Sequence, residues 1–221
     1  LRSLAVPAAA GSAGCLGGLG IGGAPGTVLG PPELDLSEVS HPSYGDELPA
    51  ITLPDPIAGE PVSTEALEGE RTTLLTFFYT NCPDGVCPAL VLRLRRAQAV
   101  AAEAGYADRA AFLPITFDPE RDTAPVLREY AAQQGVDLEA GNWHFLRPET
   151  YERGKRLIES EFGLAVQKAE APDYSSLEYR FPHYGLILLV NDRGIVERAY
   201  PNGPQVSIER VVDDFDRVVT A

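Results

Sequence analysis

The chain has 221 residues, of which 44% are hydrophobic and 23% are charged, and this composition is typical of one globular domain with appendages. Its net charge of -14 argues against a nucleic-acid partner, because binding phosphates requires clustered Lys and Arg. No run of about 20 apolar residues occurs, so the sequence contains no complete transmembrane helix.

The first residues form a short, weakly apolar stretch with many small side chains, which resembles the later part of a signal peptide. Ser12-Ala-Gly-Cys15 resembles a bacterial lipobox, in which the cysteine is lipidated. We therefore expect an exported protein that an N-terminal lipid or signal anchor holds at the cell membrane, outside the cytoplasm. The alternative is an unmodified Cys15 in a tail.

Residues 17–30 are rich in glycine and predict a flexible linker. The polar, proline-rich residues that follow predict an irregular approach to the folded domain. The expected organisation is a signal or anchor remnant with a linker over residues 1–45, and a single domain over residues 46–221.

Regular structure is expected from about Ile51, with a turn near Pro56. The β-branched and aromatic run Thr72–Tyr79 predicts a buried strand. The elements predicted after it are a helix over Ala89–Ala104, a strand over Ala111–Phe117, a helix over Val126–Gln134, a short strand over Trp143–Leu146, a helix over Glu149–Phe162 interrupted at Gly154, a strand edge over 163–168, a hairpin of Tyr184–Val190 and Ile195–Tyr200, and a closing helix over Val206–Val219.

This order of strands and helices predicts an α/β fold with a mixed central sheet, helices on both faces, and a C-terminal hairpin followed by a helix. A pair of cysteines stands between the first buried strand and the first long helix. That placement matches a thioredoxin-like fold.

The two cysteines are Cys82 and Cys87, and they are the candidate redox dithiol. The N-terminus of a helix offers unpaired N–H groups and a partial positive charge, which favour thiolate over thiol. A thiolate attacks disulfides and binds metal ions. The alternative is a structural disulfide that closes this short loop and adds about 2–3 kcal/mol of stability.

His183 directly precedes the predicted strand Tyr184–Val190, and the loop entering that strand lies beside the dithiol in a thioredoxin-like fold. Two thiolates and one imidazole form a soft ligand set that suits Cu(I) and can hold Cu(II). A lone histidine is otherwise a packing or surface residue. His144 competes as a ligand, but its apolar surroundings in sequence predict a structural role. Zinc is the weaker alternative because a structural zinc site needs four protein ligands.

Four stretches together resemble the SCO/SenC family of copper chaperones: Phe78–Pro88, Ile115–Thr123, Trp143–Leu146, and His183 with the strand that ends at Asn191–Gly194. The resemblance implies a thioredoxin-like domain outside the cytoplasmic membrane, with a copper ion bound by Cys82, Cys87 and His183. It also implies that the protein helps to assemble the dinuclear copper A centre in subunit II of a haem-copper cytochrome c oxidase. Copper delivery, reduction of the oxidase cysteines, or both would serve that purpose.

The sequence departs from the family pattern at two places. Family members normally have three residues between the cysteines, whereas this chain has four, and Gly85 is the residue that we expect to accommodate the insertion. Family members commonly have Asp before the histidine, whereas Pro182 stands here, so no carboxylate at that position orients the imidazole.

Two other functions fit the same cysteines. An extracytoplasmic thiol–disulfide oxidoreductase without a copper role would use Cys82 to attack a partner disulfide and Cys87 to resolve the mixed disulfide. A non-catalytic exported domain would use the pair as a disulfide. His183 distinguishes the copper hypothesis, because thiol exchange does not require a third soft ligand.

Overall fold

The structure is a computed structural model that describes residues 23–174, 177–182 and 185–221. Cys15 and His183 lie outside these residues. The strands are β1 (Thr52–Asp55), β2 (Glu60–Ser63), β3 (Thr72–Phe78), β4 (Ala110–Thr116), β5 (Ala169–Glu170), β6 (Tyr179–Arg180), β7 (Ile187–Val190) and β8 (Val196–Tyr200). The helices are α1 (Val86–Ala104), α2 (Ala124–Gln134), α3 (Tyr151–Phe162) and α4 (Ile208–Val219), with short 3₁₀ turns at Glu65–Leu67, Ala107–Arg109 and Gly203–Gln205.

The central sheet has the strand order β4-β3-β7-β8. Strands β3 and β4 are parallel, whereas β3 pairs with β7, and β7 with β8, in antiparallel fashion. Every residue of β3 and β4 is buried, which explains their continuous rather than alternating apolar pattern. The predicted mixed sheet and C-terminal hairpin are confirmed.

Helices cover both faces of this sheet. Successive residues of a strand point to opposite faces. The ring of Phe77 contacts Phe162 of α3, with centroids 4.9 Å apart, whereas the neighbouring Phe78 stacks on Tyr130 of α2 at 5.7 Å. Helix α1 packs against β3, β4, α2 and α4. None of the helices in the described ranges is long and apolar enough to span a bilayer.

The structure corrects three predicted element boundaries. Helix α1 begins at Val86 rather than Ala89, so Cys87 is helical. Helix α3 continues through Gly154, where glycine serves close packing, because a Cβ there would approach Pro148 Cγ to 2.9 Å. The strand edge expected over 163–168 is irregular.

The smallest strands could not be recognised from sequence. The antiparallel pair β5 and β6 has two residues in each strand, too few to show periodicity. The short strand expected over Trp143–Leu146 is reduced to isolated bridges, from Trp143 to Phe112 and from Leu146 to Ile115.

The N-terminal segment packs on the domain at the end of the sheet where β7 turns into β8. The N–H groups of Val28 and Leu29 donate to the buried Glu197 carboxylate at 2.7 and 2.9 Å. Asn191 Nδ2 donates to Gly26 O at 2.9 Å and to Glu197 Oε1 at 2.6 Å. The described end of the expected flexible linker is therefore packed. The domain boundary between residues 45 and 46 stays a prediction.

Candidate functional site: a dithiol at a helix N-terminus

The loop between β3 and α1 carries Cys82, and Cys87 is the second residue of α1. The last residue of the loop, Gly85, precedes the helix with a φ of +77°. L-amino acids with side chains rarely adopt this left-handed conformation, whereas glycine adopts it without steric cost. Gly85 thus lets the cysteine loop turn directly into the helix.

Cys82 is half-buried and lies against the first turn of α1. Its sulfur accepts a hydrogen bond from the N–H of Cys87 at 3.3 Å, which brings the two cysteines together. Its thiol donates to Asp84 Oδ1 at 2.9 Å, and the same oxygen accepts the N–H of Val86 at 3.1 Å. Asp84 therefore fixes both the loop and the helix start.

Cys87 is fully buried and lies behind Cys82. Both residues are in the thiol form. The N–H of Tyr79 donates to Cys87 Sγ at 3.4 Å. Burial raises the pKa of the Cys87 thiol well above its ordinary value, and the hydrogen bond and charge of Cys82 add to this rise. The thiolate expected at a helix N-terminus is therefore not favoured at Cys87, because burial raises the pKa of its thiol.

A buried carboxylate, Asp122, ties the cysteine loop to the end of β4. It accepts the N–H of Thr80 at 3.2 Å, the hydroxyl of Thr80 at 2.5 Å, and the hydroxyl of Thr116. Burial raises the pKa of Asp122 to about 6. Asp122 lies within the motif Ile115–Thr123, but no role was predicted for it from sequence. The sequence feature that could have indicated a role for Asp122 is an acidic residue in a polar turn next to a buried strand.

A second buried acid, Asp118, holds the segment that leads towards residue 183. Both of its carboxylate oxygens accept from the Tyr179 hydroxyl at 2.9 Å, and Arg121 Nε lies 3.2 Å from Oδ2. The Lys168 ammonium lies over the Tyr179 ring, 4.4 Å from its centroid. Burial raises the pKa of Asp118, although the Tyr179 hydrogen bond and the two cations oppose that rise.

The described residues on either side of residue 183 lie next to the dithiol. The N–H of Phe181 donates to the Tyr79 hydroxyl at 3.4 Å. A Cβ on Gly185 would lie 3.7 Å from Val86 Cγ1 and only 2.5 Å from Pro204 Cδ, so this position requires glycine. Because β7 runs antiparallel to β3, the chain enters β7 at the end of the sheet where the cysteine loop begins.

The other two histidines have partners of their own. His144 Nδ1 lies 3.1 Å from Oδ2 of the buried Asp55, which agrees with the structural role expected for it. His41 Nδ1 lies 2.9 Å from Pro42 O. Within residues 23–174, 177–182 and 185–221, no group of three or more His, Cys, Asp or Glu side chains is arranged to hold a metal ion.

A dithiol between the first buried strand and the first helix of a mixed sheet defines a thioredoxin-like dithiol protein. The family model SCO1/SenC matches residues 56–220, most of the chain. The protein therefore belongs to the SCO1/SenC family, as the sequence motifs indicated. None of the curated proteins is similar enough to this chain to count as a match.

Solved structures of family members share the fold. A SCO1/SenC family lipoprotein from Bacillus anthracis is 22% identical with a TM-score of 0.61, and the match covers 78% of this chain and 94% of that one. Copper-bound ScoI from Bradyrhizobium japonicum is 24% identical with a TM-score of 0.58, and the match covers 78% of this chain and 99% of that one. BsSco is 22% identical with a TM-score of 0.61, and the match covers 83% of this chain and 98% of that one. BsSco is described as a member of the Sco family of cytochrome c oxidase assembly proteins and as having a disulfide switch.

Proposed function

We propose that this protein is a copper chaperone that helps to assemble the copper A centre of a haem-copper cytochrome c oxidase. The observation that carries the proposal is the cysteine pair at the start of α1, with residues 181 and 185 held close to it. The metal ligands in this proposal are Cys82, Cys87 and His183.

The donor set suits copper. Two sulfurs lie together at the helix N-terminus, where the N–H of Cys87 points at Cys82 Sγ and stabilises negative charge there. Soft sulfur ligands select Cu(I), and an imidazole completes a three-coordinate site. Phe181 is anchored to Tyr79, and Gly185 lies beside Val86, so the intervening chain has little distance to cover for His183 to reach the sulfurs.

The relatives support the wider role. The Bradyrhizobium protein binds copper, and BsSco belongs to a family of cytochrome c oxidase assembly proteins. We therefore propose subunit II of the oxidase as the protein partner. The Bacillus anthracis relative is a lipoprotein, which supports an extracytoplasmic location with an anchor at Cys15.

The two cysteines differ in a way that suits stepwise transfer. Cys82 is accessible, whereas Cys87 is buried behind it. A cysteine of the partner would replace Cys82 first as the copper ligand, and Cys87 and His183 would be replaced afterwards. Copper passes between thiolates of similar softness, so neither binding site needs to unfold.

The same asymmetry favours a second function, reduction of a partner disulfide. Cys82 would attack one partner sulfur and release the other as a thiol, which forms a mixed disulfide. Cys87 would then attack Cys82 Sγ and release the second partner thiol. The protein ends as the Cys82–Cys87 disulfide, and the partner has gained two electrons and two protons.

Copper titration of the reduced protein tests the ligand set. We expect one tightly bound copper ion in the wild type, and loss of tight binding in Cys82→Ser, Cys87→Ser and His183→Ala. The matched control is His144→Ala, which removes a histidine paired with Asp55 and leaves copper affinity unchanged. Wild-type affinity in His183→Ala would overturn the proposed site.

The His183→Ala variant also separates the two functions. Disulfide exchange needs only the cysteines, so this variant should still reduce a disulfide peptide at a near wild-type rate. If wild-type protein exchanges disulfides but binds no copper, the oxidoreductase function replaces the chaperone function.

A further inference from the structure

Tyr130 on α2 carries a buried polar group that nothing in the described structure satisfies. Its side chain is 5% exposed, and its hydroxyl has no hydrogen-bond partner among the residues that the structure describes. Two other buried tyrosines differ, because Tyr106 donates to Asp216 at 2.5 Å and Tyr200 donates to Asp214 at 2.8 Å. Native proteins pair nearly all such groups, so an exception calls for an explanation.

The position of Tyr130 relates this exception to the dithiol. Its ring stacks on Phe78, the last residue of β3, and the next residue, Tyr79, donates its N–H to Cys87 Sγ. A cleft of about 310 Å³ lined by Thr80, Asn81, Arg121 and Tyr130 among others opens beside the cysteine loop. Tyr130 thus lies between this cleft and the end of β3 that leads into the cysteine loop.

Electrostatics keep this hydroxyl protonated. Burial raises the pKa of Tyr130 far above its ordinary value, and the charges of Cys87, Cys82 and Asp122 raise it further. The group therefore stays a hydrogen-bond donor throughout the physiological pH range. A donor of this kind is suited to an acceptor that carries negative charge.

We propose that Tyr130 is a positioning residue of the dithiol, whose hydroxyl donates a hydrogen bond to the Cys87 sulfur once that sulfur binds copper. The inference rests on the proposed copper function. A metal-bound thiolate carries more negative charge than a thiol and is stabilised by donors around it. The N–H of Tyr79 already points at Cys87 Sγ, and the Tyr130 hydroxyl, which makes no hydrogen bond with the residues that the structure describes, would add a side-chain donor.

Replacing Tyr130 with Phe tests this role, because it removes the hydroxyl and keeps the ring that stacks on Phe78. In the reduced, metal-free protein we expect an equal or higher unfolding midpoint, since the hydroxyl is unsatisfied there. Competition with a Cu(I) chelator should show about a tenfold loss of affinity, the lower end of the range for a lost partner of a metal ligand. The sulfur-to-copper absorption band of the Cu(II) form should move to lower energy, because the thiolate loses a hydrogen bond.

The matched control is Tyr200→Phe, which removes a buried hydroxyl that already has a partner. It should lower the unfolding midpoint without changing copper affinity or the absorption band. The inference is overturned if Tyr130→Phe lowers the unfolding midpoint without changing copper affinity, as Tyr200→Phe should. It is also overturned if copper affinity and the absorption band stay unchanged because the hydroxyl binds a water molecule in the cleft. If the wild-type protein binds no copper, the proposed function and this inference fail together.

Discussion

Both ends of the central sheet hold a hydrogen-bonded buried carboxylate, Glu197 at one end and Asp122 at the other, but the dithiol end also holds two buried groups of a different kind. At the end where β7 turns into β8, the Glu197 carboxylate accepts from Val28, Leu29 and Asn191. At the dithiol end, the Tyr130 hydroxyl has no partner among the described residues, and the fully buried Cys87 has a raised pKa. A satisfied polar network rigidifies a fold, whereas a buried unsatisfied group needs a separate explanation, such as a functional role or a bound water. We therefore expect the first end to contribute mainly to stability, and the second is the proposed functional site.

The largest effect on stability is expected from removing the Glu197 carboxylate, the acceptor at the end where β7 turns into β8. Glu197→Ala leaves the Val28 and Leu29 amides and the Asn191 side chain without their acceptor, and should lower the free energy of unfolding by roughly 3–5 kcal/mol. Urea denaturation measures this loss. Glu197→Gln, which keeps one acceptor oxygen, should lose less, and both variants should keep wild-type copper affinity. A loss below about 1 kcal/mol for Glu197→Ala would show that the two ends do not differ in this way.

A smaller, pH-dependent effect is expected at the dithiol end. Burial raises the pKa of Asp122 to about 6 from 3.8, and the Asp118 charge adds to the rise. Between about pH 4 and pH 6 the folded protein keeps a proton that the unfolded chain releases, so stability falls as the pH rises through this window. A shift of this size corresponds to about 2–3 kcal/mol.

Asp122→Asn removes the titrating group and should flatten this part of the stability profile. Asp118, whose pKa burial also raises, should leave a weaker fall of the same sign in the variant. Unfolding measured by urea at several pH values between 4 and 7 checks the slope. Superimposable wild-type and Asp122→Asn profiles would contradict the prediction.

The smallest effect is expected from Tyr179→Phe, which removes the hydroxyl bonded to Asp118. Stability should fall by about 1–2 kcal/mol, and copper affinity should fall a few-fold because the segment leading to His183 is held less firmly. Tyr44→Phe is the matched control, since its hydroxyl donates to Leu29 O at 2.6 Å near Glu197. It should cost similar stability without affecting copper affinity. Equal copper affinities in the two variants would remove the functional distinction between the ends.

Local sequence patterns predicted most of the fold. The buried run of β3, the helical spacing before Gly105, and the hairpin around Asn191–Gly194 are short-range signals, and each element lies close to its predicted position. Cys82 and Cys87 were evident for the same reason, because both lie within a few residues of the junction between a strand and a helix. Gly85, which was expected to accommodate the extra residue of the cysteine loop, adopts a left-handed φ of +77°.

The sequence by itself thus determined the order of elements, the dithiol and the family. Only the tertiary structure decided how the cysteines differ, because the burial of Cys87 depends on how α1 packs against the sheet. It also brought Asp122 to Thr80, Asp118 to Tyr179, and the N-terminal segment to Glu197, through contacts between residues up to 169 positions apart. Propensity and periodicity act over a few residues, whereas burial and hydrogen bonding of side chains depend on which distant segments the fold brings together.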